Sequence, residues 1–464
     1  MAKTQPARGM RDFLPADVRR REYVMRVIRE VYERYGFEPL ETPAVENIET
    51  LTGKYGEEGN QLIFKILKRG EHEKTGEADL ALRYDLTVPL ARVVAEYGER
   101  LPKFFKRYQM QPVWRADRPA RGRFREFYQC DVDAIGSRSM IVEAELCAAA
   151  CDALNGLGFT NFTIRLNHRQ ALAGVLDRAG VAADKHADAL TALDKLDKIG
   201  AEGVAKELPA RGVSAGAGVM LLRFFEGVAG LESATDAVDV GGAEEQRGAF
   251  NAAVLGRLVE FVGDHEEGAR GVDELRQILQ FAEAAGVGWR IKIDPSLARG
   301  LSYYTGAIME IGVPDLAGSL GGGGRYDNLV GMFSKQSIPA CGFSLGLERI
   351  IVVMTEREMF PPGLARAAAD VLVTIWDEAS AADSLALARE LRASGLRVDV
   401  YPERGDKLGK QLKYAAALGA PFVAVVGAEE RERGEVSIKN MASGEQRAVV
   451  RGQAGAMLRE ALGR

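Results

Sequence analysis

The chain has 464 residues, 47% hydrophobic and 27% charged, which predicts two or three globular domains, each large enough to bury its own core. A formal charge of -5 excludes a global basic footprint, so any contact with nucleic acid has to come from local patches. No apolar run is long enough to cross a bilayer and the opening "MAKTQPARGMRDFLP" lacks a signal-peptide pattern; the expectation is a cytoplasmic protein without a membrane partner.

From Ala16 to Tyr35 the apolar residues Val24, Val27, Ile28 and Val31 recur at helical spacing among charges, predicting an amphipathic helix that stops at Gly36. An extended, proline-punctuated stretch "GFEPLETPAVE" follows. Strand-like runs come at "DLALRYDL", "FFKRYQMQPVWRA" and "REFYQCDVDAIG", and a helix is predicted from Ser139 to Leu157. Between about Asn167 and Gly286 the composition shifts to alanine, leucine and charge at helical periodicity, which reads as a helical insertion between two halves of one sheet. Strands resume from Trp289 to Ile311, followed by "GSLGGGGRYDNL" and "IPACGFSLGLERIIVVM". Pro361 and Pro362 in "FPPGLARAAA" mark a linker. Beyond it, strands alternate with helices and end in a hairpin and a last helix, predicting a small α/β domain with a mostly parallel sheet.

Metal and disulfide chemistry find little support. Cys130, Cys147, Cys151 and Cys341 lack zinc-ligand spacing, and Cys147 and Cys151, one helical turn apart in "EAELCAAACDAL", read as buried small hydrophobes. His72, His168, His186 and His265 are scattered.

Three stretches carry chemistry. In "VWRADRPARGRFREFYQCDVD", Arg115, Arg118, Arg121, Arg123 and Arg125 crowd between two strand-like runs, opposed by Asp117 and Glu126. An arginine-rich loop joining antiparallel strands would present guanidinium forks to a polyphosphate, with Phe127 placed to stack on a planar base. Glycines 321 to 324 are followed by no GK[ST] and open no helix, so a glycine-rich strand with a ligand lying flat on it is the better reading than a phosphate loop. "GFSLGLERI" alternates Gly342, Ser344, Gly346 and Glu348 with Phe343, Leu345 and Leu347 and ends in Arg349: one open strand face, closed at its end by a cation. In "ARGLSYYTGAIMEI", Arg299 beside Gly300 can bring a fixed charge close to an anion; an extended backbone would then send Tyr303 and Tyr304 to opposite faces, one to a pocket and one to packing. Taken by itself, that stretch reads more plainly as an exposed arginine ahead of an ordinary strand.

The order "YGFEPLETP", "VWRAD…RGRFREF", "GFSLGLER" resembles the three signature motifs of the class II aminoacyl-tRNA synthetases, and "LRYDLTVPLAR" with "RGLSYYTG" narrows the resemblance to the histidyl-tRNA synthetases. It runs from "RGMRDFLP" through the final α/β domain. The resemblance implies an α/β chain whose α+β catalytic core is a class II synthetase-like antiparallel sheet with helices, divided as residues 1–166 (first part of the core), 167–286 (helical insertion), 287–360 (second part) and 366–464 (anticodon-binding α/β domain). It implies activation of L-histidine with ATP and Mg2+, transfer to tRNA(His), and a homodimer. Arg115 and Arg299 are the implied catalytic residues at the α-phosphate. Asp85, Thr87, Gln129, Asp133, Tyr303, Tyr304 and Tyr326 are the implied histidine pocket, with Asp85, Thr87 and Gln129 at the ammonium and Asp133 and Tyr304 at the two imidazole nitrogens. Arg115, Asp117, Arg123, Phe127 and Arg349 are the implied ATP contacts, Phe127 and Arg349 enclosing adenine. No residue is assigned to Mg2+.

The chain departs from the family pattern in three places: Ser302 stands where aspartate is usual, Asp117 replaces a glutamate and shortens its reach toward adenine by one methylene, and Ala120 occupies the loop expected near the tRNA acceptor end. The rival reading is a synthetase-like, histidine-sensing regulatory subunit of ATP phosphoribosyltransferase. Such paralogues lack the C-terminal domain and tend to lose ATP-binding residues; this chain keeps both.

Overall fold

The computed structural model describes residues 4–70, 75–193, 195–237, 242–298, 303–314, 316–364 and 368–464. Two compact units are present, Met1–Phe360 and Pro361–Arg464.

The first unit is built on an eight-stranded sheet. Its spatial order is Glu38–Pro39, Phe105–Trp114, Glu126–Ile135, Ala340–Gly346, Ser319–Arg325, Ala307–Gly312, Thr163–His168, Ile291–Ile293. The six strands from Phe105–Trp114 to Thr163–His168 pair antiparallel, and each edge strand joins its neighbour in parallel. Helices Pro15–Arg34, Ile141–Gly156 and Leu347–Glu356 contribute Val24, Ile28, Leu146, Ala150, Ile350 and Val353 to the core that lies against Val132, Phe343 and Met309 of the sheet. The first helix begins with Pro15 in its first turn and gives way at Gly36, whose φ of 75° suits a residue without a Cβ. Cys147 and Cys151 are among the buried residues of Ile141–Gly156, and all four cysteines are free and buried.

"DLALRYDL" is only partly a strand. Ala78–Leu82 pairs in a separate three-stranded sheet, and the chain then turns so that Thr87 opens a helix running to Tyr97. Asp85 causes this: its carboxylate accepts from the Val88 amide at 3.1 Å, satisfying one of the open amides of the first turn. Residues 169–284 are helical along most of their described length, and their apolar side chains, among them Val175, Leu221, Phe224, Val254 and Leu275, join the same buried cluster as the sheet.

The second unit has a five-stranded sheet in the order Val398–Val400, Val371–Val373, Phe422–Val425, Glu435–Asn440, Gln446–Val450. The expectation of a mostly parallel sheet needs correction: two pairings are parallel and two antiparallel. The short helix Ala428–Arg433, which periodicity did not suggest, reverses the chain at Gly434 (φ 65°) and delivers the last two strands as a hairpin. Val371, Val373, Leu387, Leu391, Phe422 and Leu458 give this unit its own core. Among the described residues no helix is long and apolar enough to cross a membrane.

Candidate active site

A cavity of about 420 Å³ opens on the antiparallel sheet of the first unit. Its floor comes from side chains two apart on Glu126–Ile135: Phe127, Gln129, Asp131 and Asp133 share one face because a strand repeats every two residues. The glycines beside them are required by close approach. Gly342 pairs with Asp133, and a Cβ built on it would lie 1.8 Å from Asp133 Oδ1; one on Gly323 would lie 2.0 Å from the carbonyl oxygen of Gly342. The glycine run is thus a strand, Ser319–Arg325, as expected. "GFSLGLERI" is not all strand: it changes to helix at Leu347. Glu348 therefore sits in a helical first turn, where it accepts from Arg21 Nη1 at 2.7 Å and from the Tyr128 amide at 2.9 Å.

Every expected site residue within the described part lines this cavity: Asp85, Thr87, Arg115, Asp117, Arg123, Phe127, Gln129, Asp133, Tyr303, Tyr304, Tyr326 and Arg349. Arg299 and Ser302 lie outside the described residues, as does His72. Two expectations change. Tyr303 and Tyr304 both face the cavity, with ring centroids 5.1 Å apart at 74°, because they precede the strand that starts at Ala307. Of the five crowded arginines, only Arg115 and Arg123 reach the cavity; Arg121 pairs with Glu356, Arg125 donates to the Asp117 carbonyl at 3.0 Å, and Arg118 is exposed.

One end of the cavity is acidic and hydroxyl-rich. Asp85, fully buried, accepts from the hydroxyls of Tyr55 and Tyr303, each at 3.0 Å. Asp133 accepts from the Tyr326 hydroxyl at Oδ1. Gln129 Nε2 donates to Ser344 Oγ at 2.9 Å, leaving Gln129 Oε1 a buried acceptor without a hydrogen bond. Burial pushes the carboxyls of Asp85, Asp131 and Asp133 up, against the opposing pull of Arg115 on the first and Arg107 on the other two. It pushes the phenols of Tyr303, Tyr304 and Tyr326 up as well, so they stay protonated and can donate. The other end is cationic and aromatic. Arg115 donates through Nε to the Tyr84 carbonyl at 3.0 Å, with its guanidinium carbon 5.2 Å from the Phe127 ring centre. Arg123 binds Asp117 at 2.7 Å, and Arg349 donates to the Ser319 carbonyl at 2.5 Å.

Sequence reasoning missed Asp131 and Glu310 as lining residues, and Arg107 behind them. The two-residue period that links Gln129 to Asp133 passes through Asp131 and could have found it. Arg107 was hidden because pairing across strands decides which arginine faces which acid.

An antiparallel sheet whose cavity has Arg115, Arg123 and Arg349 at one end and Asp85, Asp131 and Asp133 at the other, in a chain that continues into a separate α/β unit, places the protein among the class II aminoacyl-tRNA synthetases. Residues 9–350 match the histidyl-tRNA synthetase family model, and residues 370–461 match the anticodon binding domain model. The chain belongs to the histidyl-tRNA synthetase family. It is 40% identical over 474 residues to the histidine--tRNA ligase of Gloeobacter violaceus, covering 97% of each chain, and 41% identical over 463 residues to that of Porphyromonas gingivalis, covering 96% and 97%. Its fold is similar to the crystal structure of histidyl-tRNA synthetase from Nostoc sp. PCC 7120, with a TM-score of 0.78 and 30% identity over 99% of this chain and 100% of that one.

Proposed function

We propose that the chain is a histidine--tRNA ligase that joins L-histidine to ATP in this cavity, releases pyrophosphate, and passes the histidyl group to the 3' end of tRNA(His) as a homodimer. The observation that carries the reading is one cavity lined by Asp85, Asp131 and Asp133 at one end and by Arg115, Arg123 and Arg349 at the other.

At the acidic end, Asp85 and the open acceptor Gln129 Oε1 receive the substrate ammonium, with Thr87 at the mouth of the helix beside them. The imidazole has one N–H and one lone pair in its neutral form, so it needs an acceptor and a donor. Asp133 supplies the acceptor. The Tyr304 hydroxyl, held protonated by burial, supplies the donor. Tyr303 orients Asp85 and Tyr326 orients Asp133, so each carboxylate meets its ligand without rearrangement.

At the cationic end, Phe127 and Arg349 enclose adenine, and Asp117, tied to Arg123, reaches its edge. Arg115 faces the α-phosphate, and the role that falls to Arg299 is to hold the substrate carboxylate. Negative charge develops on the phosphate oxygens as the carboxylate attacks, and fixed guanidinium groups lower that barrier. Among the described residues no cluster of three acidic, histidine or cysteine side chains could hold a metal by itself. Mg2+ takes one or two carboxylates together with substrate phosphates and keeps several waters; Glu310, which lines the cavity 3.8 Å from Arg165 Nη1, would be its protein ligand. When bound, the ion offsets charge on the departing pyrophosphate.

Two features argue against the regulatory-subunit reading: the ATP-side arginines remain in the cavity, and residues 370–461 form an anticodon binding domain. The chain also has a similar fold to a protein described as an ATP phosphoribosyltransferase regulatory subunit/histidyl-tRNA synthetase from Bacillus halodurans C, at 21% identity, a likeness of fold alone.

Truncation tests the division of labour. A chain ending at Gly363 keeps the whole first unit and its core, so it should still activate histidine, while tRNA charging and the steep salt dependence of tRNA binding should fall away. Equal charging by the truncated and intact chains would show that the second unit is not the anticodon reader.

A further inference from the structure

Arg107 lies on Phe105–Trp114, opposite Asp133 in the strand register, and is fully buried. Its Nη2 is 2.9 Å from Asp133 Oδ2 and 3.9 Å from Asp131 Oδ2, and it donates to the Leu86 carbonyl at 3.3 Å; its Nη1 donates to Gln109 Oε1 at 3.1 Å. It is not among the residues that line the cavity, so it acts behind the carboxylates and not on the ligand. Arg107 Nε is buried without a hydrogen bond, and the contact with Asp133 Oδ2 is a close ion pair without hydrogen-bond alignment, which leaves that oxygen able to accept from a ligand. A buried guanidinium is costly, and breaking such a pair leaves the opposite charge uncompensated.

The charges around it define its task. Asp131 and Asp133 share a strand face, and Asp85 approaches from the turn before Thr87. Like charges this close drive one another toward protonation. Tyr32 from the first helix, Cys341 from the neighbouring strand, and Tyr304 and Tyr326 across the cavity also face the pair, and burial holds all four protonated near neutral pH. Arg115 stands nearer to Asp85.

We infer that Arg107 is a positioning residue that keeps the Asp133 carboxylate ionised and turned to accept the imidazole N–H of the substrate. The inference rests on the histidine pocket proposed above. A protonated Asp133 would present a donor to that N–H and the ligand would lose its partner.

The test is the pH dependence of the Michaelis constant in pyrophosphate exchange, measured with histidine and with a ring-fluorinated histidine whose imidazole stays neutral across the range. With the fluorinated substrate, the rise in KM on acidification reports the protein. Arg107→Met removes the cation, raises the affinity of Asp133 for a proton, and so should move that acid limb to higher pH while raising KM about tenfold or more. Arg107→Lys keeps a charge and should bring the limb back toward the wild-type position. Arg107→Gln keeps amide donors for the surrounding carbonyls but no charge, and should move the limb as Arg107→Met does; this variant decides the matter if Arg107→Met does not fold. Limbs that coincide in wild type and a folded Arg107→Met or Arg107→Gln overturn the role of Arg107. An Asp133→Asn variant with unchanged KM sinks the pocket assignment itself, which is a different outcome.

Discussion

Replacing Arg299 with alanine should slow histidyl-adenylate formation by about 10²- to 10³-fold, corresponding to ~2.7–4 kcal/mol of transition-state stabilisation, with little loss of stability. The reason is electrostatic. Charge accumulates on the α-phosphate only as the bond forms, so a guanidinium fixed there beforehand helps the transition state more than the ground state. The nearest described residues before and after Arg299 are hydrogen-bonded. Asn167 donates to the carbonyls of Pro295 at 3.1 Å and Leu297 at 3.0 Å, and Tyr303 is tied to Asp85. Single-turnover adenylate formation should therefore fall much further than the thermal midpoint. A variant as fast as wild type would remove Arg299 from the mechanism.

Gly342→Ala should sharply weaken histidine binding although it adds a single methyl group. That carbon would stand 1.8 Å from Asp133 Oδ1, with the Asp133 side-chain carbon at 2.6 Å and the Val132 carbonyl at 3.3 Å. The carboxylate has to leave, and with it go the Tyr326 hydrogen bond and the Arg107 ion pair. The cost has two parts, about 1–3 kcal/mol of overpacking and about 3–5 kcal/mol for a broken buried pair, which should appear as a lowered thermal midpoint. The Michaelis constant for histidine should rise about 10²-fold. Gly98→Ala serves as the control, since its Cβ would meet nothing within 4 Å and its φ is -52°. A wild-type KM in Gly342→Ala would mean that Asp133 does not touch the substrate.

Much of this was legible because local signals and global fold agree. The helix ending at Gly36, the paired runs around the arginine loop and the glycine strand all carry periodicities that the structure honours. The family resemblance brought together residues as distant as Asp85 and Arg349, which no periodicity could do. The failures occur where tertiary contacts overrule local pattern. "RYDL" alternates like a strand, yet the Asp85 carboxylate starts a helix there. Tyr303 and Tyr304 follow strand logic only within a strand, and the strand begins later, at Ala307. Arg121 is drawn out of the loop cluster by Glu356, far along the chain. Arg107 reads as one cation in "FFKRYQ"; only the register that sets it opposite Asp133 gives it meaning.

The most direct test of the account is ATP–pyrophosphate exchange with each amino acid supplied separately to the full-length chain. On the proposed reading, Asp133 and the Tyr304 hydroxyl would offer an imidazole an acceptor and a donor, and a site built to hydrogen-bond a polar ligand rejects analogues that leave those groups unpaired by about 10⁴–10⁵-fold. Exchange should therefore occur with histidine alone. Exchange with another amino acid in place of histidine, or none with any from folded protein, would contradict the reading of this cavity.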